Sequence, residues 1–269
     1  MKNFLLILVA ATFLGFLLGL FVFDFPAIQS FQSQNVNLDS VLKSQQLGNV
    51  WLNPIKYVIH GAVVSGVSAK TVSLLLLLTV VTAFIAGVRH LLGVRSFGIF
   101  LPAALSVVFV TIGPLFGIGL FLLIIGIASI VRFALRKLKI HLQYLPRMSF
   151  ILWGVVVCVL LVLFLAPVFG GIDFENISVL PLFILILLAE DFIRVQLGKS
   201  VKTAINLTTE TLILAFVSFL ILSFAPFERF AILNPEILLV GVAIFDFILG
   251  KYVGLRFIEF WRFRKLIRS

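Results

Sequence analysis

Apolar residues run along this chain in blocks of about 20, the length a helix needs to cross roughly 30 Å of hydrocarbon. Short polar or charged clusters separate the blocks. The blocks are continuous, whereas a membrane β-barrel would show short alternating segments. The pattern predicts eight spans, at 4–23, 71–90, 97–113, 115–132, 149–169, 177–195, 203–224 and 236–256. The third and fourth meet at Ile112-Gly113-Pro114, a turn sequence that predicts a helical hairpin. The expected fold is an all-α integral membrane protein with eight transmembrane helices, one N-terminal anchor followed by a seven-helix bundle. Three regions follow: an anchor at 1–23, a short extracytoplasmic segment at 24–70, and a transmembrane domain with a basic tail at 71–269.

Composition agrees with the pattern. Of the 269 residues, 62% are hydrophobic and 12% charged, with a mean hydropathy of +1.23. Soluble domains run near half apolar and about a quarter charged. The net charge of +10 calls for no nucleic-acid partner, because Lys and Arg collect in the cytoplasmic loops of membrane proteins. With the N-terminus inside, all but four of the 21 basic residues fall on the cytoplasmic side, and the exceptions are Lys43, Lys56, Lys70 and Arg229. Both termini are expected in the cytoplasm of a bacterial inner-membrane protein. The first apolar run, Phe4 to Phe23, is longer than a typical signal-peptide core and is followed by a poor cleavage site, so it reads as an uncleaved anchor.

The segment 24–70 is rich in Gln, Asn and Ser. It has room for a short helix near Asn37 to Leu47. A second apolar stretch, Ile55 to Val67, suits the interface or the outer ends of the bundle. Cys158 lies alone in WGVVVCVLLVLFL, which leaves neither a disulfide framework nor a thiolate metal site.

Acids inside the bilayer demand an account, since an unpaired charge there costs at least ~2.5–3.5 kcal/mol. Asp246 is ten residues beyond Glu236, about 15 Å along a helix, and so is expected near mid-membrane. It must face the bundle, be protonated, or bond to another helix, as a proton-binding or ion-binding acid or as a packing residue. Lys202, Asn206 and Glu210 recur every four residues on one face, a polar stripe that fits a vestibule or hydrogen-bonding glue between helices. Glu190 and Asp191 are placed to pair with Arg194 one turn on.

The stretch VRFALRKLKIHLQYLPRM, 131–148, puts Arg132, Arg136 and Lys139 on one helical face, with Arg147 following. It reads as an interfacial helix on anionic lipid or as a docking surface for a cytoplasmic partner. At the C-terminus Arg256, Glu259 and Arg262 step by three, a second candidate docking surface. Gly250 and Gly254 have the spacing of a close helix contact. Hydrolase and phosphate-loop signatures are missing, and His60, His90 and His141 fall on both sides of the membrane. No catalysis, metal or cofactor is expected.

Three stretches carry a resemblance: GVRSFGIFLPAAL, YLPRMSF with the basic residues before it, and NPEILLVGVAIFDFILGKYVGLRFIEFWRFR. They resemble the bacterial seven-helix membrane domain usually found fused to an inactive transglutaminase-like domain, over roughly residues 71–265. The most specific positions are Arg95, Phe97, Gly98 and Pro102 in the first stretch and Gly250, Tyr252 and Gly254 in the last. Ser96 is expected to cap the third span. The resemblance implies a non-catalytic scaffold or receptor, accessory to a peptide-ligation or peptide-processing system with ATP-grasp ligase-like and retropepsin-like partners. The alternative function is a proton-coupled transporter or export conduit using Asp246 and Glu210.

Overall fold

In a computed structural model the residues described are 53–138, 143–169, 179–198 and 201–252, together with Leu42. All regular structure among them is helical. The helices are α1 (Pro54–Val64), α2 (Ala69–Gly87) running on as a π-turn (Val88–Leu92), α3 (Phe100–Ile112) and α4 (Pro114–Lys137). They continue with α5 (Tyr144–Phe169), α6 (Val179–Gly198), α7 (Val201–Ser223), α8 (Ala225–Leu233) and α9 (Pro235–Lys251). Proline opens α1, α4, α8 and α9 in the first two positions. There it forfeits no hydrogen bond, and its fixed φ suits the helix.

Four helices are long and apolar enough to cross a membrane: Ala69–Leu92, Pro114–Lys137, Tyr144–Leu161 and Lys202–Ser223. A fifth crossing results if α8 and α9, bent by 102° at Asn234, count as one span. The expected eight are therefore not reached among the described residues. α3 has only 13 residues, α6 carries Glu190, Asp191 and Arg194 in its second half, and the anchor at 1–23 lies outside the described residues. The predicted helix near Asn37 to Leu47 is described only at Leu42, which is helical and buried.

The chain divides into two compact units, with boundaries at Val110/Thr111 and within α7 at Thr208/Thr209. In the unit built from Thr111–Thr208, α4 packs on α5 and α6, and α5 on α6. Leu120, Phe121, Ile124, Ile151, Val155, Leu185 and Ile193 are buried in it. α4 and α5 approach closely at Gly154, where a Cβ would stand 2.8 Å from Val131 Cγ2. The interfacial helix expected over 131–148 is corrected here. Arg132 and Arg136 belong to the last turns of α4, and Arg147 belongs to the first turn of α5. The apolar pattern of α4 continues through Leu135, which is buried, so the helix carries its arginines out of the apolar zone without a break. Lys139 lies outside the described residues.

In the other unit α2 packs on α8 and α9, and α1 packs on α9. Leu77, Val81 and Ile85 of α2 share a core with Ile59, Leu222, Ile232 and Leu238. Two acids join the short helices to the long ones. Glu236 Oε1 accepts from the Lys56 N–H at 2.9 Å, filling one of the donors that the first turn of α1 leaves open. Glu228, 4% exposed, pairs with Lys70 in the first turn of α2. Both carboxylates sit at helix N-termini, where the backbone dipoles favour negative charge. Most of the stretch Ile55 to Val67 thus packs as a helix, α1, on α9.

Two perturbations follow. Gly154→Ala should lower stability by about 1–3 kcal/mol through overpacking, with Val131→Ala restoring most of it in a double-mutant cycle read by thermal unfolding in detergent. Lys70→Met should cost about 1–3 kcal/mol by stranding the Glu228 carboxylate, and Lys70→Met/Glu228→Gln should unfold at a higher temperature than Lys70→Met alone.

Candidate functional site at the helix break

Between the π-turn and α3 the backbone leaves helical geometry over residues 93–99. Gly93 stops the turn with φ +84° and Gly98 turns the chain at φ +56°, backbone values that L side chains rarely adopt. Amides in such a break need partners, and α7 supplies them. Glu210 Oε2 accepts from the Arg95 N–H at 2.5 Å, and Thr211 Oγ1 accepts from the Phe97 N–H at 3.1 Å. Phe97 and Thr211 are both buried, so the second bond is shielded from water. Ser96 Oγ donates to the Gly98 carbonyl at 3.1 Å. It stabilises the turn and does not cap α3, which begins four residues later; its expected capping role is corrected.

The last family stretch reaches the same end of this unit. α9 finishes at Lys251, and Tyr252 leaves it in extended conformation. The Tyr252 carbonyl accepts from His90 Nε2 of the π-turn at 2.8 Å, and the two rings stand edge to face at 6.0 Å. A π-turn is rare and marks a place where helix geometry has been adapted to a task; here it presents His90 to Tyr252. A network of separate bonds thus holds Arg95 and Phe97 to Glu210 and Thr211, Gly98 to Ser96, and Tyr252 to His90. Pro102, buried in the first turn of α3, follows directly. Gly250 is exposed with open space where a Cβ would be, and Gly254, Arg256, Glu259 and Arg262 lie outside the described residues.

What faces outward from this network is mixed. The Arg95 residue, Leu92, Ile99 and Phe100 are exposed, Phe100 by 74%. The arrangement is a stiff loop offering one cation among large apolar groups, which is the chemistry of a binding surface. Among the described residues no three His, Cys, Asp or Glu side chains converge to hold a metal.

The other expected site residues fall elsewhere. Asp246 is exposed and has neither a hydrogen-bond nor an ion-pair partner among the described residues. It stands five residues before the end of α9, about 7.5 Å along the axis. Leu238, Val242, Phe245 and Leu249 form the packing stripe of α9, with the Phe245 ring against Gly87. Asp246 stands about 70° off the middle of that stripe. Nothing brings it to Glu210. Asn206 and Lys202 are exposed on α7, and only Glu210 of that stripe is drawn into the network. Glu190 pairs with Arg194 at 2.8 Å and Asp191 pairs with it at 3.3 Å, as their spacing predicts.

Sequence reasoning passed over His90 and Thr211. Thr211 directly follows Glu210, and His90 lies five residues ahead of Arg95, so proximity to motif residues was the available signal. Long apolar helices with many exposed apolar side chains define a polytopic helical membrane protein. Residues 28–267 match the family described as seven transmembrane helices usually fused to an inactive transglutaminase, and the chain belongs to that family. The match takes in α1 and the stretch before it, whereas the motif resemblance begins near residue 71. No curated protein and no solved structure matches the chain.

Glu210→Ala should leave the Arg95 N–H without its acceptor. Hydrogen–deuterium exchange at residues 93–99 should then accelerate, with a stability loss of about 1–3 kcal/mol. Glu210→Gln, which keeps an acceptor oxygen, should show a smaller effect on both.

Proposed function

We propose that this protein is a non-catalytic scaffold or receptor of the bacterial inner membrane, with both termini in the cytoplasm. It docks soluble partners of an ATP-grasp ligase-like or retropepsin-like kind. The observation that carries this reading is the stiff 93–99 loop, whose amides are engaged by Glu210 and Thr211 while Arg95 and Phe100 are left outward. A loop locked from behind loses little entropy when a partner seats on it. The asymmetry of Lys and Arg supports a cytoplasmic position for this end, and Tyr252, which precedes the basic tail in sequence, is bonded to His90 there. The family's association with an inactive transglutaminase supports a role in binding.

Photo-crosslinking from position 100 in native membranes tests the reading. The expected outcome is a ligase-like or retropepsin-like adduct that weakens several-fold on Arg95→Glu, as reversal of a charge at an interface would cause. Recovery of neither class, with the loop and tail intact, would sink it.

A further inference from the structure

The arginines of the Thr111–Thr208 unit pose a separate problem of charge. Arg132 and Arg136 are one turn apart at the end of α4, and Arg147 lies in the first turn of α5. A connection of six residues, 138–143, makes α4 and α5 antiparallel neighbours, and the contact of Val131 with Gly154 sets their register. Counting seven residues back from Gly154 and seven on from Val131 brings Arg147 level with the end of α4. Arg136 and Arg147 thus share one level, and Arg132 sits about one turn deeper. Arg132 and Arg147 are half-buried, and Arg132 is within electrostatic reach of both other guanidinium groups.

Arg136 and Arg147, held beside Arg132 against mutual repulsion, call for an anion. The described carboxylates of this unit are Glu190 and Asp191, and both pair with Arg194. Neither Arg136 nor Arg147 has an ion-pair partner among the described residues. The surface next to the cluster is apolar and exposed. Leu145 is exposed by 76% and Trp153 by 61%. Phe150, one turn on from Arg147, lies with its ring 5.4 Å from that of Trp153. A water-soluble anion would gain nothing from that flank, but a lipid uses both parts. Guanidinium groups fork onto phosphate oxygens, and an acyl chain covers the aromatic surface.

We propose that Arg132, Arg136 and Arg147 form a binding site for the phosphate of an anionic phospholipid, with its acyl chains lying on Phe150 and Trp153. The site is independent of the docking role proposed above and involves none of its residues.

Native mass spectrometry of the full chain, purified in a neutral detergent and titrated with phosphatidylglycerol or phosphatidylcholine, tests it. The expected result is preferential retention of phosphatidylglycerol, weakened roughly five-fold for each arginine replaced by glutamine, the factor for about 1 kcal/mol per basic residue near a lipid surface. Arg136→Gln/Arg147→Gln serves if the triple variant, with half-buried Arg132 changed as well, fails to fold. Arg229→Gln, at an exposed residue of α8, should leave retention unchanged. Equal retention of the two lipids, or retention indifferent to the arginines, overturns the proposal. Saturable binding of inorganic phosphate at these arginines without preference between the lipids also overturns it, because the site would then serve a soluble anion.

Discussion

A helix that breaks leaves backbone amides without intrahelical acceptors, and each needs a partner from elsewhere. The carboxylate of Glu210 on the Arg95 N–H answers that constraint, and much of the second unit is arranged around it. Thr211 closes the next amide of the break. Gly93 and Gly98 supply the two left-handed turns. The π-turn before the break rotates His90 to the Tyr252 carbonyl. The acid that looks at first like a conduit residue is needed for the architecture, which is why a carboxylate is tolerated there.

At other helix ends Glu236 meets the same need at the Lys56 N–H, and Glu228 pairs with the Lys70 ammonium. Both are acids near helix N-termini, where four N–H groups lack intrahelical acceptors. Each joins a short helix to a long one: Glu236 joins α9 to α1, and Glu228 joins α8 to α2. Apolar packing can hold long helices side by side, but it fixes their ends weakly. Directional polar contacts at the ends set where short helices such as α1 and α8 attach.

The long helices were legible because hydropathy alone specifies them. The spans expected at 71–90 and 203–224 correspond to α2 and α7, and Ile112-Gly113-Pro114 marks the boundary of α3 and α4. Two misreadings have physical causes. The basic stretch 131–148 has an amphipathic look because a transmembrane helix leaving the bilayer must acquire charge on its way out, and α4 does so without a break. The last span read as straight to residue 256 because its apolar run hides the extended Tyr252. The partners of Glu210 and Glu228 were not legible, since each lies more than a hundred residues away and no local spacing encodes such a contact. Glu190 and Arg194, one turn apart, were legible for the opposite reason.

α9 is fastened at both extremities, to α1 through Glu236 and to the π-turn through Tyr252. The fastenings are sixteen residues apart, about 24 Å of helix, with no proline between them. A tug on the chain ahead of Asn53 loads α1 first, then the head of α9. A helix is stiff along its axis, so the load emerges at His90 and the loop behind it. α9 is therefore a strut between the head of α1 and the π-turn.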